Sequence, residues 1–377
     1  MRQINPPTIN WETRKIKSAF LPKFVYDNPY ITQLIDNLET VGIELNLPSD
    51  SSSQSFFIPL LFSQEKVDFI HLHWLHPFFQ KNNSLINTIK LVIIVLQLVL
   101  LKLSNIKIVW TVHNLKNHEK ANLIFERTLS IVVAELADAI ITHCEIAKAE
   151  AVKHFLIRNQ AKVFVVPNGN YIGFYENTID KSTARERLGL KPTSVVFTFL
   201  GEIRLYKGIF ELIDTFHQLP EENIELVIAG RVHNNSQEMT DRLREIIGDD
   251  HRIKFSPGFV PNDEIQLYMN ACDTVIVPYR DILTSSSVLL AMSFARACIA
   301  PRRGCIGEII DDVGLPLLYE INDNNGLINT MRYAIEKRHE LLLMGQHNFQ
   351  LAEHYGWQKI AAMTANVYRS CQSNVNK

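Results

Sequence analysis

Two basic residues lie three positions apart in a segment that directly follows an apolar run. The segment, GEIRLYKG at positions 201–208, begins with Gly201 and contains Arg204 and Lys207. Its glycines permit close approach to the backbone. An arginine holds two phosphate oxygens through its planar guanidinium group, and a lysine supplies a compact charge. Both could instead be solvated loop cations. Their place after a predicted strand favours binding of a diphosphate.

Four successive hydroxyl side chains precede another predicted helix. They end the segment PYRDILTSSS at positions 278–287, which also contains Tyr279, and they are Thr284, Ser285, Ser286 and Ser287. Backbone N–H groups, hydroxyls and the positive end of a helix dipole together favour an anion. Simple N-capping is the alternative reading, although one cap needs only one hydroxyl. We therefore predict an anion-binding helix start.

Histidines are concentrated at the ends of two further predicted strands. The first group is HLHWLHP at positions 71–77, and the second is TVHNLKNHE at positions 111–119, which contains His113, Asn114 and His118. Neighbouring residues of a strand point to opposite faces, and most histidines in buried strands are structural. His113 differs because it closes its strand, where a neutral imidazole can meet a substrate hydroxyl.

Short apolar runs alternate with helical patterns along most of the chain, as in a parallel sheet covered on both faces. Predicted strands in the first half cover residues 67–74, 107–113, 139–143 and 162–167, and those in the second half cover 195–200, 225–229, 253–255, 274–277 and 298–301. The pattern predicts an α/β fold with two doubly wound, Rossmann-like domains at residues 1–176 and 195–354. Ligands bind beyond the carboxyl ends of such strands, so two facing sheets would form a cleft.

The composition excludes several classes of protein. The 377 residues include 38 Lys and Arg against 40 Asp and Glu, and 46% are hydrophobic. This composition is globular, and a net charge of -2 argues against nucleic acid as a partner. The absence of G-x-G-x-x-G and P-loop motifs argues against dinucleotide oxidoreductases and P-loop NTPases. The five cysteines form no CxxC pair, so we expect buried free thiols rather than a disulfide framework or zinc site. The N-terminus lacks a secretory apolar core, and we expect a cytoplasmic protein.

The most apolar segment is LINTIKLVIIVLQLVLLKL at residues 85–103. Its longest stretch without a charge, residues 91–101, is too short to span a bilayer, which needs about 20 apolar residues. The favoured interpretation is a helix buried between a sheet and its neighbours. A helix lying on a membrane surface is the alternative that stays open.

These segments resemble GT-B glycosyltransferases, specifically the family-4-like bacterial enzymes that make surface polysaccharides and glycolipids. The matching stretches are WTVHNLKNHE, VPNGNY, FLGEIRLYKGIFELIDTF, LVIAGRV, ACDTVIVPYRDILTSSSVLLAMSFARACIAP, GEII and YGWQKIAAMTANVYR. The resemblance implies a GDP- or UDP-linked sugar held by the C-terminal domain and an acceptor approached from the N-terminal one. It places Arg204 and Lys207 on the donor diphosphate and His113 near the reacting groups.

Further roles follow from the same resemblance. Glu308 matches a residue that contacts the nucleotide's ribose, and a helix at about 355–377 crosses back onto the N-terminal domain. Asn28, Asn114 and His118 fall on the acceptor side. Similar enzymes need no metal or other cofactor, because cations and a helix N-terminus supply the electrostatic stabilisation. The expected acceptor is a saccharide or lipid-linked saccharide, with peripheral membrane contact as an open alternative.

Several departures from the family pattern keep other functions open. Ile282 and Leu290 stand where many relatives carry two glutamates, so the stereochemistry is undecided. Ser286 stands where a glycine is expected, and Ala295 and Ala297 replace an expected glycine and proline. A positive φ at Ser286 would cost on the order of 1 kcal/mol. The main hypothesis is hexose transfer, with mannose as the first guess. The alternatives are a catalytically weak scaffold subunit and a sugar-nucleotide epimerase.

Overall fold

Two parallel six-stranded sheets form the framework of the chain. The computed structural model describes residues 15–21, 28–45, 66–79, 83–116 and 122–373. The first sheet has the order β2-β1-β3-β4-β5-β6 and the second β12-β11-β10-β7-β8-β9. The strands are β1 (Ile16–Leu21), β2 (Ile43–Leu45), β3 (Phe69–Leu72), β4 (Lys107–Thr111), β5 (Ala139–Thr142), β6 (Val163–Val165), β7 (Val195–Leu200), β8 (Ile224–Gly230), β9 (Ile253–Pro257), β10 (Thr274–Ile276), β11 (Ala297–Pro301) and β12 (Leu318–Tyr319). This is the doubly wound α/β architecture predicted from the sequence.

The strands are connected by helices, as parallel pairing requires. In chain order they are α1 (Pro29–Thr40), α2 (Ser84–Leu103), α3 (Leu123–Leu136), α4 (Glu145–His154), α5 (Lys181–Arg187), α6 (Ile209–His217), α7 (Gln237–Ile247), α8 (Ile265–Ala271), α9 (Ser286–Ser293), α10 (Ile306–Ile309), α11 (Gly326–Glu336), α12 (Leu341–Glu353) and α13 (Trp357–Ser373). All six residues of β7, VVFTFL, are buried. A strand covered on both faces is apolar throughout rather than alternating, which explains this run.

The chain divides into two compact units, and each is described by itself. The first consists of Met1–Thr111, Ile124–Ile140 and Ala361–Lys377, and the second of Val112–Leu123 and Ile141–Ile360. The domain boundaries at residues 176 and 195 stay a prediction.

In the first unit, the C-terminal helix packs on the first sheet. The buried Tyr368 ring of α13 stacks on Phe69 with ring centroids 4.6 Å apart. Its hydroxyl group lies 3.3 Å from Ser18 Oγ and 2.7 Å from His71 Nδ1. The other ring nitrogen of His71 lies 2.7 Å from Thr111 Oγ1, so this histidine is a satisfied structural residue.

In the second unit, the start of α13 is held by the segment before α5. Trp357 Nε1 donates a hydrogen bond of 2.6 Å to the carbonyl oxygen of Asn170. A side chain at Gly169 would place its Cβ 2.2 Å from the Trp357 ring, so only glycine leaves room for the indole there. The VPNGN motif therefore has a packing role.

The expectation that residues 85–103 form a buried helix is wrong. They do form one helix, α2, but eight of its aliphatic side chains are exposed on one side. By length and composition α2 is long and apolar enough to cross a membrane. The expectation that it is too short considered only its longest stretch without a charge, residues 91–101. Its inner face, however, is buried in the first unit. The apolar composition reflects an exposed stripe rather than enclosure by neighbouring elements.

Candidate active site

The segment 201–208 leaves the carboxyl end of β7 and leads into α6. Leu205–Lys207 forms one turn of 3-10 helix, and Gly208 follows with φ 70°. A Cβ at Gly208 would lie 2.1 Å from the carbonyl oxygen of Pro278. The nitrogen of Arg280 also donates to the carbonyl oxygen of Tyr206 at 3.0 Å. The two candidate segments therefore touch through their backbones, which glycine alone permits at position 208.

Arg204 is held by an acidic neighbour. Its Nη2 and Nε donate to Glu202 Oε2 at 2.9 and 3.1 Å, and His233 Nδ1 lies 3.0 Å from the other oxygen of Glu202. Burial alone would raise the pKa of Glu202, but these bonds from His233 and Arg204 outweigh it and lower the pKa. Glu202 thus stays ionised and orients the guanidinium group at the strand end.

Lys207 turns inward. Its Nζ lies 5.4 Å from the centroid of the Tyr279 ring and 3.7 Å from where a Cβ of Gly201 would stand. Burial lowers the pKa of Lys207, and the nearby Arg204 guanidinium group lowers it further. A half-buried ammonium beside another cation is stabilised by any anion that reaches it. This is the electrostatic character that a diphosphate site requires.

The four hydroxyls at the start of α9 are all engaged. Ser285 is the N-cap, because its Oγ accepts from Val288 N at 3.2 Å. The hydroxyls of the neighbours bond elsewhere: Ser287 Oγ lies 2.9 Å from Tyr279 Oη, Ser286 bonds Tyr171, and Thr284 Oγ1 donates to the carbonyl oxygen of His113 at 3.5 Å. The segment therefore connects the Lys207 cluster with His113.

The positive φ considered for Ser286 is found at a different residue. Ser286 opens α9 in helical conformation, whereas Ala295 just after the helix has φ 54°. Arg296 N donates to Ala291 O and Ala295 N to Met292 O, which closes the helix in a Schellman motif. Ala295 is thus the residue that replaces an expected glycine at a position with positive φ. Ser286 does not strain the backbone of the hydroxyl segment.

His113 is buried and meets a second histidine. Its Nδ1 lies 3.3 Å from His143 Nε2, and His143 Nδ1 lies 2.9 Å from the carbonyl oxygen of Val166. A carbonyl oxygen only accepts, so His143 Nδ1 carries a proton. Burial lowers the pKa of His143 to about 4, which leaves its Nε2 unprotonated near neutral pH. His113 Nδ1 must then donate, so neutral His113 carries its lone pair on Nε2. His113 is set up as a hydrogen-bond acceptor.

Glu308 caps a helix in the second unit. Its carboxylate accepts from the backbone nitrogens of Glu145 at 3.1 Å and Ile146 at 2.6 Å, at the start of α4. A carboxylate at a helix N-terminus is stabilised by the helix dipole. Cys144 precedes the same helix and forms a disulfide with Cys305. The expectation of free thiols is wrong for this pair, since a separation of 161 residues leaves no spacing signal in the sequence.

The predicted acceptor-side residues lie in different parts of the chain. Asn114 lines a pocket with Lys116, Asp281 and Arg303. Asp281 pairs with Lys116 at 3.2 Å and with Arg303 at 3.6 Å. Asn28 lies in the first unit, where its Oδ1 accepts from Tyr30 N at 2.9 Å and caps α1. His118 lies outside the described residues.

Sequence reasoning missed two residues of this site. His143 closes β5 in the same way that His113 closes the adjacent β4, and this repeat was the available signal. Glu202 was visible in the basic segment, but its partners were not. Within the described ranges, no group of three or more His, Cys, Asp or Glu side chains is arranged to hold a metal ion.

Residues 180–349 match a family model described as glycosyl transferases group 1. Over this region the chain is similar to the group 1 glycosyltransferases. A similar curated protein is the GDP-mannose:glycolipid 4-beta-D-mannosyltransferase of Xanthomonas campestris pv. campestris, 26% identical over 313 residues that cover 81% of this chain and 79% of the relative. The lipopolysaccharide 1,2-N-acetylglucosaminetransferase of Salmonella typhimurium is 25% identical over 53% of this chain and 55% of its own length.

Solved structures show the fold of this chain. Sucrose-phosphate synthase from Thermosynechococcus elongatus superposes with a TM-score of 0.74 at 16% identity, covering 96% of this chain and all of the other. Anabaena HepE in complex with UDP and glucose superposes with a TM-score of 0.70 at 18% identity, covering 94% of this chain and all of the other. The predicted GT-B fold is therefore confirmed.

Proposed function

We propose that this glycosyltransferase moves a hexose from a nucleoside diphosphate to a hydroxyl group of a saccharide or lipid-linked saccharide, without a metal ion. Mannose from GDP-mannose is the donor to test first, because the Xanthomonas relative is named for it. The proposed location is the inner face of the cell membrane. The product would enter surface polysaccharide or glycolipid synthesis.

One observation carries this proposal: a half-buried lysine and an oriented arginine stand together at the end of a sheet strand, beside the start of a helix. Lys207 lies against Tyr279, whose hydroxyl contacts Ser287 in the first turn of α9. A diphosphate placed here meets two cations and backbone N–H groups. Preorganised charges of this kind stabilise a leaving group without a metal ion.

The reaction assigns a separate task to each group. The bond between sugar C1 and the diphosphate oxygen breaks, and its electron pair stays on the diphosphate. Arg204 and Lys207 stabilise the negative charge that develops there. A new bond forms between C1 and the acceptor oxygen, and the acceptor's proton passes to a base. His113 fits that task, because its neutral form carries the lone pair on Nε2.

The predicted site residues contribute in different ways to this proposal. Gly201 leaves the space beside Lys207, and Tyr279 and Ser287 form the floor under the ammonium group. Asn114 is the proposed acceptor contact. Glu308 remains a proposed ribose ligand, although its carboxylate already caps α4, so a ribose hydroxyl would have to share it. We therefore rank Glu308 below the two cations.

The test is a binding and transfer assay on the purified full chain. Thermal shifts with GDP, UDP and ADP identify the base, and transfer of labelled sugar with and without EDTA tests metal independence. Arg204→Ala and Lys207→Ala should each lower kcat/KM by about 100- to 1000-fold, the loss expected for one preorganised charge contact. Arg244→Ala is the matched control, since Arg244 pairs with Asp241 on exposed α7. Equal activity of all three variants would contradict the proposal.

A further inference from the structure

The helix α2 in the first unit shows a reversed polarity. Its outer side exposes eight aliphatic side chains, and Leu85 and Leu103 near its two ends are 71% and 78% exposed. Its inner side includes two amides, Asn87 and Gln97, which are 0% and 2% exposed. A surface helix in water has the opposite arrangement, with its polar side outward. The outer side is therefore built to face an apolar environment.

The exposed side chains form one continuous stripe. At 3.6 residues per turn they fall within about 140° of the helix circumference over its whole length. They are Leu85, Ile86, Ile89, Val92, Leu96, Val99, Leu100 and Leu103, and their exposed fractions together equal about four fully exposed side chains. Monomeric proteins rarely expose so large a contiguous apolar patch without a binding role.

A second helix, α3, contacts the same turn as α2. Lys90 donates to the carbonyl oxygen of Phe78 at 3.4 Å, and Phe79 packs against Phe125 of α3 with ring centroids 5.9 Å apart. Both helices therefore contact the same short turn. Ile124 at the start of α3 is 73% exposed, and it is a further exposed aliphatic side chain of this unit.

The composition of the stripe fits lipid better than protein. Protein interfaces take their binding energy from Trp, Tyr and Arg, with a polar rim. The stripe contains only Leu, Ile and Val. The only charged residues of α2 are Lys90 and Lys102, and helical geometry places one on each border of the stripe. Their ammonium groups bond to oxygens of the protein, so the stripe itself presents only hydrocarbon.

The same helix is anchored in the protein, so it lies on a bilayer rather than crossing it. Ile94, Leu98 and Leu101 of its inner side are buried. Lys102 Nζ bonds the carbonyl oxygen of Leu136 at 2.9 Å and Asp138 Oδ1 at 3.1 Å. A spanning helix would have to give up these contacts and expose both amides to hydrocarbon. We propose that α2 docks this glycosyltransferase on a lipid bilayer, with its axis parallel to the surface. This deepens the proposed function by naming a partner surface.

Vesicle flotation of the full chain tests the docking. The probe is vesicles of phosphatidylcholine with phosphatidylglycerol, and the variant is Ile89→Asn/Leu96→Gln, in which both altered side chains are more than half exposed. Its matched control is Leu342→Gln/Leu343→Gln, which removes two similarly exposed leucines from α12 in the second unit. We expect the α2 variant to lose at least tenfold in vesicle partitioning, with the control and the melting temperatures unchanged.

Other outcomes overturn the docking. It is wrong if the wild type does not float with vesicles, or if the α2 variant floats as well as the wild type. It is also wrong if light scattering shows a dimer that the α2 variant abolishes without any vesicle binding, since a second copy then covers the stripe. Nucleotide-induced thermal shifts of the same variants report on the proposed transferase site separately, so failure of one idea is distinguishable from failure of the other.

Discussion

The substitution Lys207→Met tests two effects of a half-buried cation separately: it lowers the stability of the ligand-free protein, and it strengthens the binding of a nucleotide. The ammonium group is desolvated, which lowers its pKa because the charged form destabilises the ligand-free protein. Methionine has a similar length, and its sulfur can contact the Tyr279 ring that the ammonium now faces. We therefore expect the ligand-free variant to melt at the same temperature as the wild type or above it.

The response to nucleotide should change in the opposite direction. A ligand at 100 times its Kd stabilises the wild type by about 2.7 kcal/mol. Loss of one charge-assisted hydrogen bond costs about 2 kcal/mol, or about 30-fold in Kd. At the same concentration the ligand then stabilises the variant by only about 0.9 kcal/mol. For a domain of 150–250 residues this reduces the shift in Tm from about 5–10 °C to about 2–3 °C.

The assay is differential scanning fluorimetry with the best-binding nucleoside diphosphate at one fixed concentration. Lys337→Met is the control, because Lys337 lies on the surface and pairs only with Glu340 in the same exposed turn. It should keep the full nucleotide shift. A Lys207→Met variant that melts lower without ligand and keeps the wild-type nucleotide shift would refute both the desolvation argument and the diphosphate contact.

Four further predictions concern the second unit. Because burial lowers the pKa of His143 to about 4 against 6.5 unfolded, stability should fall by up to about 3 kcal/mol as pH drops from 6.5 to 4, and His143→Gln should flatten that profile in thermal melts. Nitrogen-15 NMR should also show that His143→Met, but not His143→Gln, loses the Nδ1–H tautomer of His113, and an unchanged tautomer in both would contradict the hydrogen bond from His113 Nδ1 to His143 Nε2. Ala295→Gly should raise the free energy of unfolding by about 0.5–1 kcal/mol by relieving φ 54°, and a loss in urea titration would speak against the strain. Cys144→Ser should cost up to about 5 kcal/mol for a loop of 161 residues, and dithiothreitol should lower the wild-type Tm to that of Cys144→Ser without affecting the variant.

Local patterns predicted the framework because they report local physics. Buried parallel strands are apolar along their whole length, so β7 and β8 could be read directly from the sequence. The basic segment could be found for a similar reason, since Arg204 and Lys207 follow β7 immediately. The position of this segment directly after β7 in the sequence was enough to place it at the end of a strand.

Features that depend on long-range partners could not be predicted in this way. The Cys144–Cys305 disulfide and the Glu308 cap of α4 join residues more than 160 positions apart. The exposure of the α2 stripe could not be predicted for another reason. An apolar helix has the same sequence whether protein or another apolar phase covers it, so composition alone does not identify its surroundings. The available clue was that Asn87 and Gln97 face inward. This clue can be interpreted only when it is known which face of the helix is buried.

The close fit between Gly169 and the Trp357 ring has an evolutionary consequence. Gly169 leaves the space that the Trp357 ring fills, although the two residues are 188 positions apart in the sequence. A substitution at one position therefore requires a compensating substitution at the other. Homologous chains with a bulkier residue at the first position should carry a smaller one at the second, and the paired exchange should be tolerated where each single exchange is not. The two sites would then appear as a covarying pair that marks the start of the last helix.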